Sequence, residues 1–410
     1  MDAEVVIVGG GPAGCATAWA LARAGVDVLV LDRARFPREK VCSEYLSPEA
    51  SRILDAMGAL ALCEDAGAAQ LSGMIVRAPS GTRIQGDFAD VRGYRAYRDR
   101  GLALRRVLLD AILLDRARAV GARVEEEVRV TDVVRDARGA VRGVRTLLPD
   151  GSTCERQARL VVGADGLRSV VARRLGLTRV ARHPRRLAIV AHYRGVQGMS
   201  EYGEIFVEGD GYGGFANVGH GVTNVAVVVP ISRAPTGPDL GAFMSEWLGA
   251  RPHLAPRLAG AERMGVPRVT GPFASRAKRA WAPGAALVGD AADFFDPITG
   301  QGIFAALHGG EVLARHALAM LAAPNAPQAD AALAAYDRER RALFRGKWIV
   351  ERLVGAAVGF APLMNRAAAT LARRKDMADL LVGVAGDFVP PRAVLTPSFI
   401  LSLLASAPRS

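Results

Sequence analysis

An α/β protein with a Rossmann-type parallel sheet, a second domain built on an antiparallel sheet and a helical C-terminal tail is what this sequence predicts, and three observations carry the prediction. The first is Val5 to Asp32, where two unbroken apolar stretches flank a glycine-rich turn and a helix-forming segment, the pattern of a βαβ unit in a buried parallel sheet. The second is a change of texture from about Leu187 to Val269, where short Val-, Ile- and aromatic-rich runs are separated by glycines, as antiparallel strands are. The third begins at Tyr336, after which apolar and basic residues recur at helical spacing.

At 410 residues, half of them hydrophobic, the chain buries a sizeable core and divides into two closely joined domains. Its formal charge of +12 rests on arginine, since lysine stands only at Lys40, Lys278, Lys347 and Lys375. The arginines are scattered and no nucleic-acid motif accompanies them, so no nucleic-acid partner is expected. Cys15, Cys42, Cys63 and Cys154 lie far apart, with no CxxC pair and no metal-ligand spacing to the six histidines. No metal is expected, and a reduced, cytoplasmic setting fits. No uncharged run reaches the roughly 20 residues that span a bilayer and no leader precedes the first strand, so a soluble protein is expected.

Each element follows from its residues. Val5 to Val8 is a strand; Gly9 permits the turn, Gly11 lets backbone approach a pyrophosphate, and Gly14 lets the helix pack close. Pro12 and Ala13 open a helix reaching Ala24, and Gly25 stops it. Val26 to Leu31 is the second strand, ending in Asp32, an acid placed to hold ribose hydroxyls, with Arg33 beside it. The phosphates of a dinucleotide belong at the helix N-terminus, where free N–H groups and the dipole favour negative charge. A helix from about Glu49, a long helix from Leu102 to about Val120, a strand over Arg123 to Val128 and a hairpin of Val141 to Leu147 with Thr153 to Leu160 follow. Leu160 to Gly163 is another apolar strand, running into Ala164-Asp165-Gly166. Strands are expected at Leu187 to Tyr193, Glu204 to Glu208, Gly213 to Val218 and Thr223 to Val229. His192, Tyr193, Tyr202 and Tyr212 are candidate substrate contacts there. The tail, Tyr336 to Ser410, carries half the net charge, with 12 Lys and Arg against 6 Asp and Glu. Packing of its apolar stripes onto the body is expected, with peripheral contact to an anionic membrane as the alternative.

Four segments resemble one family. Cys42-Ser43-Glu44, after the charged loop from Arg33, is similar to the Cys-Gly-Glu of flavoproteins of the geranylgeranyl reductase type and the related FAD-dependent, aromatic hydroxylase-like monooxygenases, with serine in place of glycine. Arg106-x-x-Leu109-Asp110 and the Asp165-Gly166 turn match in order, and Gly289-Asp290 with Pro297-Ile298-Thr299-Gly300-Gln301-Gly302-Ile303 closely resembles the family's Gly-Asp motif. The resemblance implies a glutathione reductase-like, FAD-binding fold. It implies that Arg106 reaches the cofactor, that Asp165 lies near the pyrophosphate, that Asp290 binds the ribityl chain, and that Gly300, Gln301, Gly302 and Ile303 face the flavin ring. Cys42 and Glu44 pass beside that ring as the candidate catalytic pair. The implied domains are a discontinuous FAD-binding domain of 1–75, 100–180 and 270–335, a substrate-binding sheet domain of 76–99 and 181–269, and a helical region of 336–410.

The expected reaction is that of an NAD(P)H-dependent FAD monooxygenase, hydroxylating or epoxidising a lipophilic aromatic or polyketide-type molecule through a flavin C4a-hydroperoxide. Gly300-Gln301-Gly302 resembles the hydroxylase pattern. The alternative is hydride delivery from reduced FAD to an isoprenoid double bond. The reductases' aromatic Tyr-x-Trp-x-Phe-Pro segment appears only as Tyr212-Gly213-Gly214-Phe215-Ala216-Asn217, which suggests a differently shaped pocket. A flavoprotein without turnover that serves a pathway as a partner is the third reading. The absence of a CxxxxC pair argues against the disulfide reductases, and the lack of both a Trp-x-Trp-x-Ile-Pro segment and any lysine between Lys40 and Lys278 argues against a halogenase.

Overall fold

The computed structural model describes residues 1–180, 185–235, 237, 239–273, 275–294 and 296–404. Val5–Val8 (β1) and Val28–Leu31 (β2) are buried along their whole length and joined by the helix Pro12–Arg23 (α1). β1 lies inside a six-stranded sheet, parallel to β2 on one side and to Leu160–Gly163 on the other. Arg123–Glu125 extends the sheet beyond β2 and Ala285–Leu287 beyond Leu160–Gly163, with Trp281–Ala282 antiparallel at the edge. Ligands of such sheets bind beyond the C-terminal strand ends. Those ends are Val8, Leu31, Gly163 and Leu287, and the residues that follow them are the Gly9 turn, Asp32, Asp165 and Gly289-Asp290. Segments distant in sequence therefore converge on one edge of the sheet.

The second sheet has seven strands in the order Glu262–Thr270, Arg186–Arg194, Val222–Pro230, Gly211–Asn217, Tyr202–Glu208, Gly73–Arg77, Arg83–Asp87. It is antiparallel except where Tyr202–Glu208 runs parallel to Gly73–Arg77. Leu240–Gly249 covers one face, packing Met244, Trp247 and Leu248 against Ile189, Phe215 and Val227. The edge strand Glu262–Thr270 was not anticipated: most of its residues are exposed and Pro267 interrupts it, so it lacks the alternation that marks a half-buried strand.

The tail begins earlier than Tyr336, in a 33-residue helix Ala326–Val358 whose start is capped by Asn325, which accepts the Gln328 N–H at 3.0 Å. Leu333, Tyr336, Phe344, Val350 and Val358 are buried, and the Tyr336 hydroxyl donates to the Leu287 carbonyl at 2.7 Å, fixing the helix to the parallel sheet. Ala361–Leu371, Lys375–Ala385 and Pro397–Leu404 complete the region. Lys375–Ala385 lies on the outer strand of the second sheet, where Asp379 accepts the Asp87 N–H at 2.8 Å. The boundary drawn at 75/76 thus cuts the strand Gly73–Arg77, and that at 335/336 cuts the long helix. Among the described residues no helix is long and apolar enough to cross a membrane.

Candidate functional site

α1 starts hard against the parallel sheet. Gly9 has φ +106°, and a Cβ on Gly14 would lie 1.9 Å from the Gly9 carbonyl oxygen, so the turn and the helix packing both require glycine. Gly11 is different: a Cβ there would meet nothing nearer than Arg38 Nη2 at 3.7 Å and Arg106 Nη2 at 3.9 Å. Gly11 has no side chain to cap the helix, and the first turn holds no acid. The result is an open cradle of helix-start N–H groups flanked by two guanidinium groups, a fit for a diphosphate. Arg106 is braced from behind by Asp110, whose carboxylate takes Nε at 2.6 Å and Nη2 at 2.7 Å and also pairs with Arg38 at 2.9 Å.

Asp32, buried at the end of β2, accepts the Gly10 N–H at 2.8 Å through Oδ2 and the Ala34 N–H at 2.8 Å through Oδ1. Each oxygen retains a second lone pair for a ribose hydroxyl. Arg33 is exposed beside it. Across the groove Asp165 accepts the Val170 N–H at 2.6 Å, while its buried Oδ1 has no hydrogen-bond partner among the described residues. Burial pushes the Asp165 and Asp290 carboxyls up from their ordinary range, the latter against the pull of Lys40 and Arg106. Lys40 in turn is pulled down, by burial first and then by Arg106, Arg38 and Arg33, although Asp290 opposes the shift. An orphaned carboxylate oxygen and unbalanced charges around one groove are what a polar cofactor would complete.

The Cys42–Glu44 segment closes one side. Glu44 is wholly buried at φ +64°, an uncommon conformation for a residue with a side chain, and four contacts hold it there. Its Oε1 accepts the Arg106 N–H at 2.9 Å, its Oε2 accepts Asn224 Nδ2 at 2.9 Å and lies 2.7 Å from His192 Nε2, and its own N–H points to Cys42 Sγ at 3.3 Å. Asn224 also donates to the Cys42 carbonyl at 2.9 Å. The left-handed backbone falls on Glu44 and not on Ser43, which is why serine is accommodated where the family has glycine. His192 and Asn224 are cross-strand partners in the second sheet, so this cluster ties the Cys42–Glu44 segment and the start of the Arg106–Ala119 helix to that sheet.

Other candidates have different duties. Tyr212 donates to Asp296 at 2.7 Å, Tyr202 to Asp87 at 3.1 Å, and Tyr193 is buried. Pro297 opens a short 3-10 turn, Gly300 has φ +70° with a would-be Cβ 2.7 Å from the Tyr45 ring, and Gly302 and Ile303 begin the helix that packs on α1. A Cβ on Gly289 would lie 2.8 Å from that of Ala13, which brings the Gly-Asp turn onto the start of α1. The Gln301 amide does not face the groove: it is buried and donates to the Val384 carbonyl at 2.7 Å and to Asp387 at 2.6 Å. The opening expected at Gly213-Gly214 is one-sided, because Trp247 fills the space beside Gly213 at 3.4 Å, whereas Gly214 meets only the Ala226 methyl at 3.9 Å.

Residues 2–215 match the model of a family described as an FAD binding domain. The chain belongs to this family of FAD-binding proteins. It is 32% identical over 321 residues to digeranylgeranylglycerophospholipid reductase 1 of Methanopyrus kandleri, covering 76% of this chain and 79% of the relative. It is 33% identical over 332 residues to a menaquinone reductase of Mycolicibacterium smegmatis, covering 76% and 75%. A flavoprotein/dehydrogenase from Cytophaga hutchinsonii superposes with a TM-score of 0.82 at 22% identity, covering 98% of this chain and 96% of that one, a likeness of fold. The protein is therefore an FAD-dependent oxidoreductase. Asp32→Ala, which removes an acceptor at the ribose position, is expected to weaken FAD binding by about 1.5–3 kcal/mol; unchanged affinity in a flavin titration would remove Asp32 from the site.

Asp387, Lys347, Thr299 and Glu351 form a polar cluster behind Gln301. The Glu351 carboxyl, enclosed although the residue as a whole is half-buried, is pushed up to about 8 by burial first and then by Asp296 and Asp387, against Lys347 and Thr299. A raised carboxyl contributes stability that is complete below its ordinary value of 4.5 and lost as pH rises through about 8. Glu351→Gln should therefore melt like the parent near pH 4 and progressively higher than the parent towards pH 9, as thermal denaturation across that range would show.

Proposed function

We propose that this flavoprotein is a reductase that adds two hydrogens across a carbon–carbon double bond of a lipophilic, isoprenoid-bearing molecule, with NAD(P)H as electron donor. The observation that carries this reading is the Cys42–Glu44 cluster pinned by Arg106, His192 and Asn224. Saturating a double bond needs a hydride and a proton, and bound FAD in its reduced form supplies the hydride. The proton is the chain's task. Cys42, half-buried, offers a thiol, and the sulphur left after proton donation would face the Glu44 N–H and the Arg106 guanidinium. The Glu44 carboxylate and His192 are in hydrogen-bond contact at 2.7 Å and His192 is partly open to solvent, so the pair would link the surroundings of Cys42 to solvent, from which the thiol would regain its hydrogen.

Gly9, Gly11, Pro12, Ala13 and Gly14 would hold the pyrophosphate of FAD, Asp32 and Arg33 its adenosine half, and Arg106, Asp165, Gly289 and Asp290 the central chain. Pro297, Gly300, Gly302 and Ile303 would border the ring, with Gln301 contributing backbone alone. Hydroxylation is the competing reading. Its support was the departure from the reductases' aromatic segment at Tyr212–Asn217 and the Gly300-Gln301-Gly302 pattern, and the Gln301 amide of the latter is engaged by Val384 and Asp387 and so offers no group to a substrate. The named relatives are reductases, which supports the same preference.

Gly214 and Ala226 leave the sheet surface low beside His192 and Asn224, room for an apolar substrate. Gly214→Trp should fill it, abolishing measurable turnover while leaving FAD content and FAD reduction by NAD(P)H intact; turnover at the parental rate would move the substrate elsewhere. The reaction itself is tested without oxygen. Chemically reduced protein mixed anaerobically with a polyprenyl lipid or prenylated quinone should reoxidise as the substrate gains two hydrogens, whereas reoxidation only on admitting air would favour oxygen insertion.

A further inference from the structure

The long helix Ala326–Val358 has a second apolar side. Its inner residues are buried against the body, yet Ile349 and Leu353, four residues apart on one face, are 39% and 50% exposed, and Phe360, just beyond the helix end, is 59% exposed. Leu343 at 42%, and Ile400 and Leu401 at 36% and 67% on the final helix, add to them, so among the described residues six of the eleven exposed large hydrophobic ones lie in this region. The final helix packs on Ala361–Leu371, which packs on the end of the long helix, making one surface. Arginine supplies every exposed charge from residue 338 to 373: Arg338, Arg345, Arg352, Arg366 and Arg373. The acids of the long helix in that interval are turned aside, Glu339 onto Arg315 and His316 and Glu351 towards Thr299.

We infer that this surface docks the protein on an anionic lipid membrane, with Ile349, Leu353 and Phe360 inserted at the headgroup boundary and the arginines on lipid phosphates. Apolar tips interleaved with cationic charge and free of exposed acid complement a negatively charged bilayer surface. A helix apolar on two sides leaves one of them to be covered from outside, and no described helix crosses a bilayer, so the contact is one of lying on the membrane. The inference is independent of the reduction chemistry, because binding to vesicles is read without turnover.

The test uses the full-length, FAD-loaded protein, sedimented with phosphatidylglycerol-containing vesicles and with pure phosphatidylcholine vesicles. Partitioning at least about tenfold stronger onto the anionic vesicles, weakened by salt, is expected. The pair Leu353→Asp with Phe360→Asp should reduce it by about tenfold or more, since burial of either side chain alone is worth that factor. Arg338→Glu with Arg345→Glu, which leaves the apolar residues in place, should reduce it as well. Flavin content should be unchanged in both. Equal binding to neutral vesicles, no binding to either, or a dimer in solution that the aspartate pair disrupts would overturn the inference, the last by making this face a contact between two copies of the chain.

Discussion

Glu44→Ala is expected to lower kcat by roughly 10² to 10⁴, the range for loss of a positioned acid–base group. Residue 44 joins Cys42 to His192: its backbone N–H meets the thiol sulphur at 3.3 Å and its carboxylate Oε2 meets the imidazole at 2.7 Å, so the variant keeps the first contact and loses the second. Removing the carboxylate leaves the buried Arg106 N–H without its acceptor, at about 1–3 kcal/mol, while the Asn224 amide keeps its bond to the Cys42 carbonyl and loses the second. A fall in melting temperature will accompany the loss of rate, so the two must be separated. Glu44→Gln keeps an acceptor for Arg106 but turns a donor toward either Asn224 or His192, and it should retain FAD and its reduction by NAD(P)H while the substrate-dependent step stays slow. His192→Ala, which breaks the same contact from the other side, should slow the same substrate-dependent step while leaving FAD content and FAD reduction by NAD(P)H intact. Full activity in Glu44→Gln would remove the carboxylate from proton transfer and leave it a purely structural role.

Gly14→Ala is expected to have the other large effect. The added methyl would begin 1.9 Å from the Gly9 carbonyl oxygen, and the obstacle is backbone in the turn itself, so it has no flexible side chain to displace. Either α1 moves away from β1 or the Gly9–Gly11 cradle opens, and both displace the N–H groups offered to the diphosphate. Overpacking of this kind costs about 3 kcal/mol at the upper part of its usual range. The protein should purify largely without flavin and melt earlier, and added FAD should restore little absorbance of bound cofactor. Gly11→Ala makes the control, because a Cβ at Gly11 enters open space and leaves the fold undisturbed. That variant should melt like the flavin-free parent and still bind FAD more weakly, separating the cradle from the scaffold.

The sequence made the cofactor half of the site legible for a physical reason. Parallel strands covered on both faces must be continuous apolar runs, and the turns after them carry glycine where backbone comes close, so Val5 to Asp32, Leu160 to Asp165 and Ala285 to Asp290 announce both their conformation and their position at the sheet edge. The substrate half was less legible. Strand alternation places residues on one of two faces but leaves open which strand lies opposite, and only the pairing of His192 with Asn224 brings the histidine to Glu44. Asn224 was passed over, although an amide inside the run Val222–Pro230 was a signal, since a buried polar side chain in an apolar strand needs a partner. Trp247 filling the gap at Gly213 is a contact between segments 34 residues apart that composition does not reveal. The start of the tail was misplaced because alanine-rich helix continues on both sides of Tyr336, while the cap at Asn325 with Pro327 behind it marked the true beginning.

The central claim is that substrate gains hydrogen and no oxygen, and one mass measurement addresses it. Turnover with NAD(P)H in deuterated water under an atmosphere of labelled O₂ is expected to yield a product carrying at least one solvent deuterium for each double bond reduced and no labelled oxygen. A product that contains one labelled oxygen atom, with its double bonds otherwise retained, would contradict the account and establish hydroxylation or epoxidation in its place.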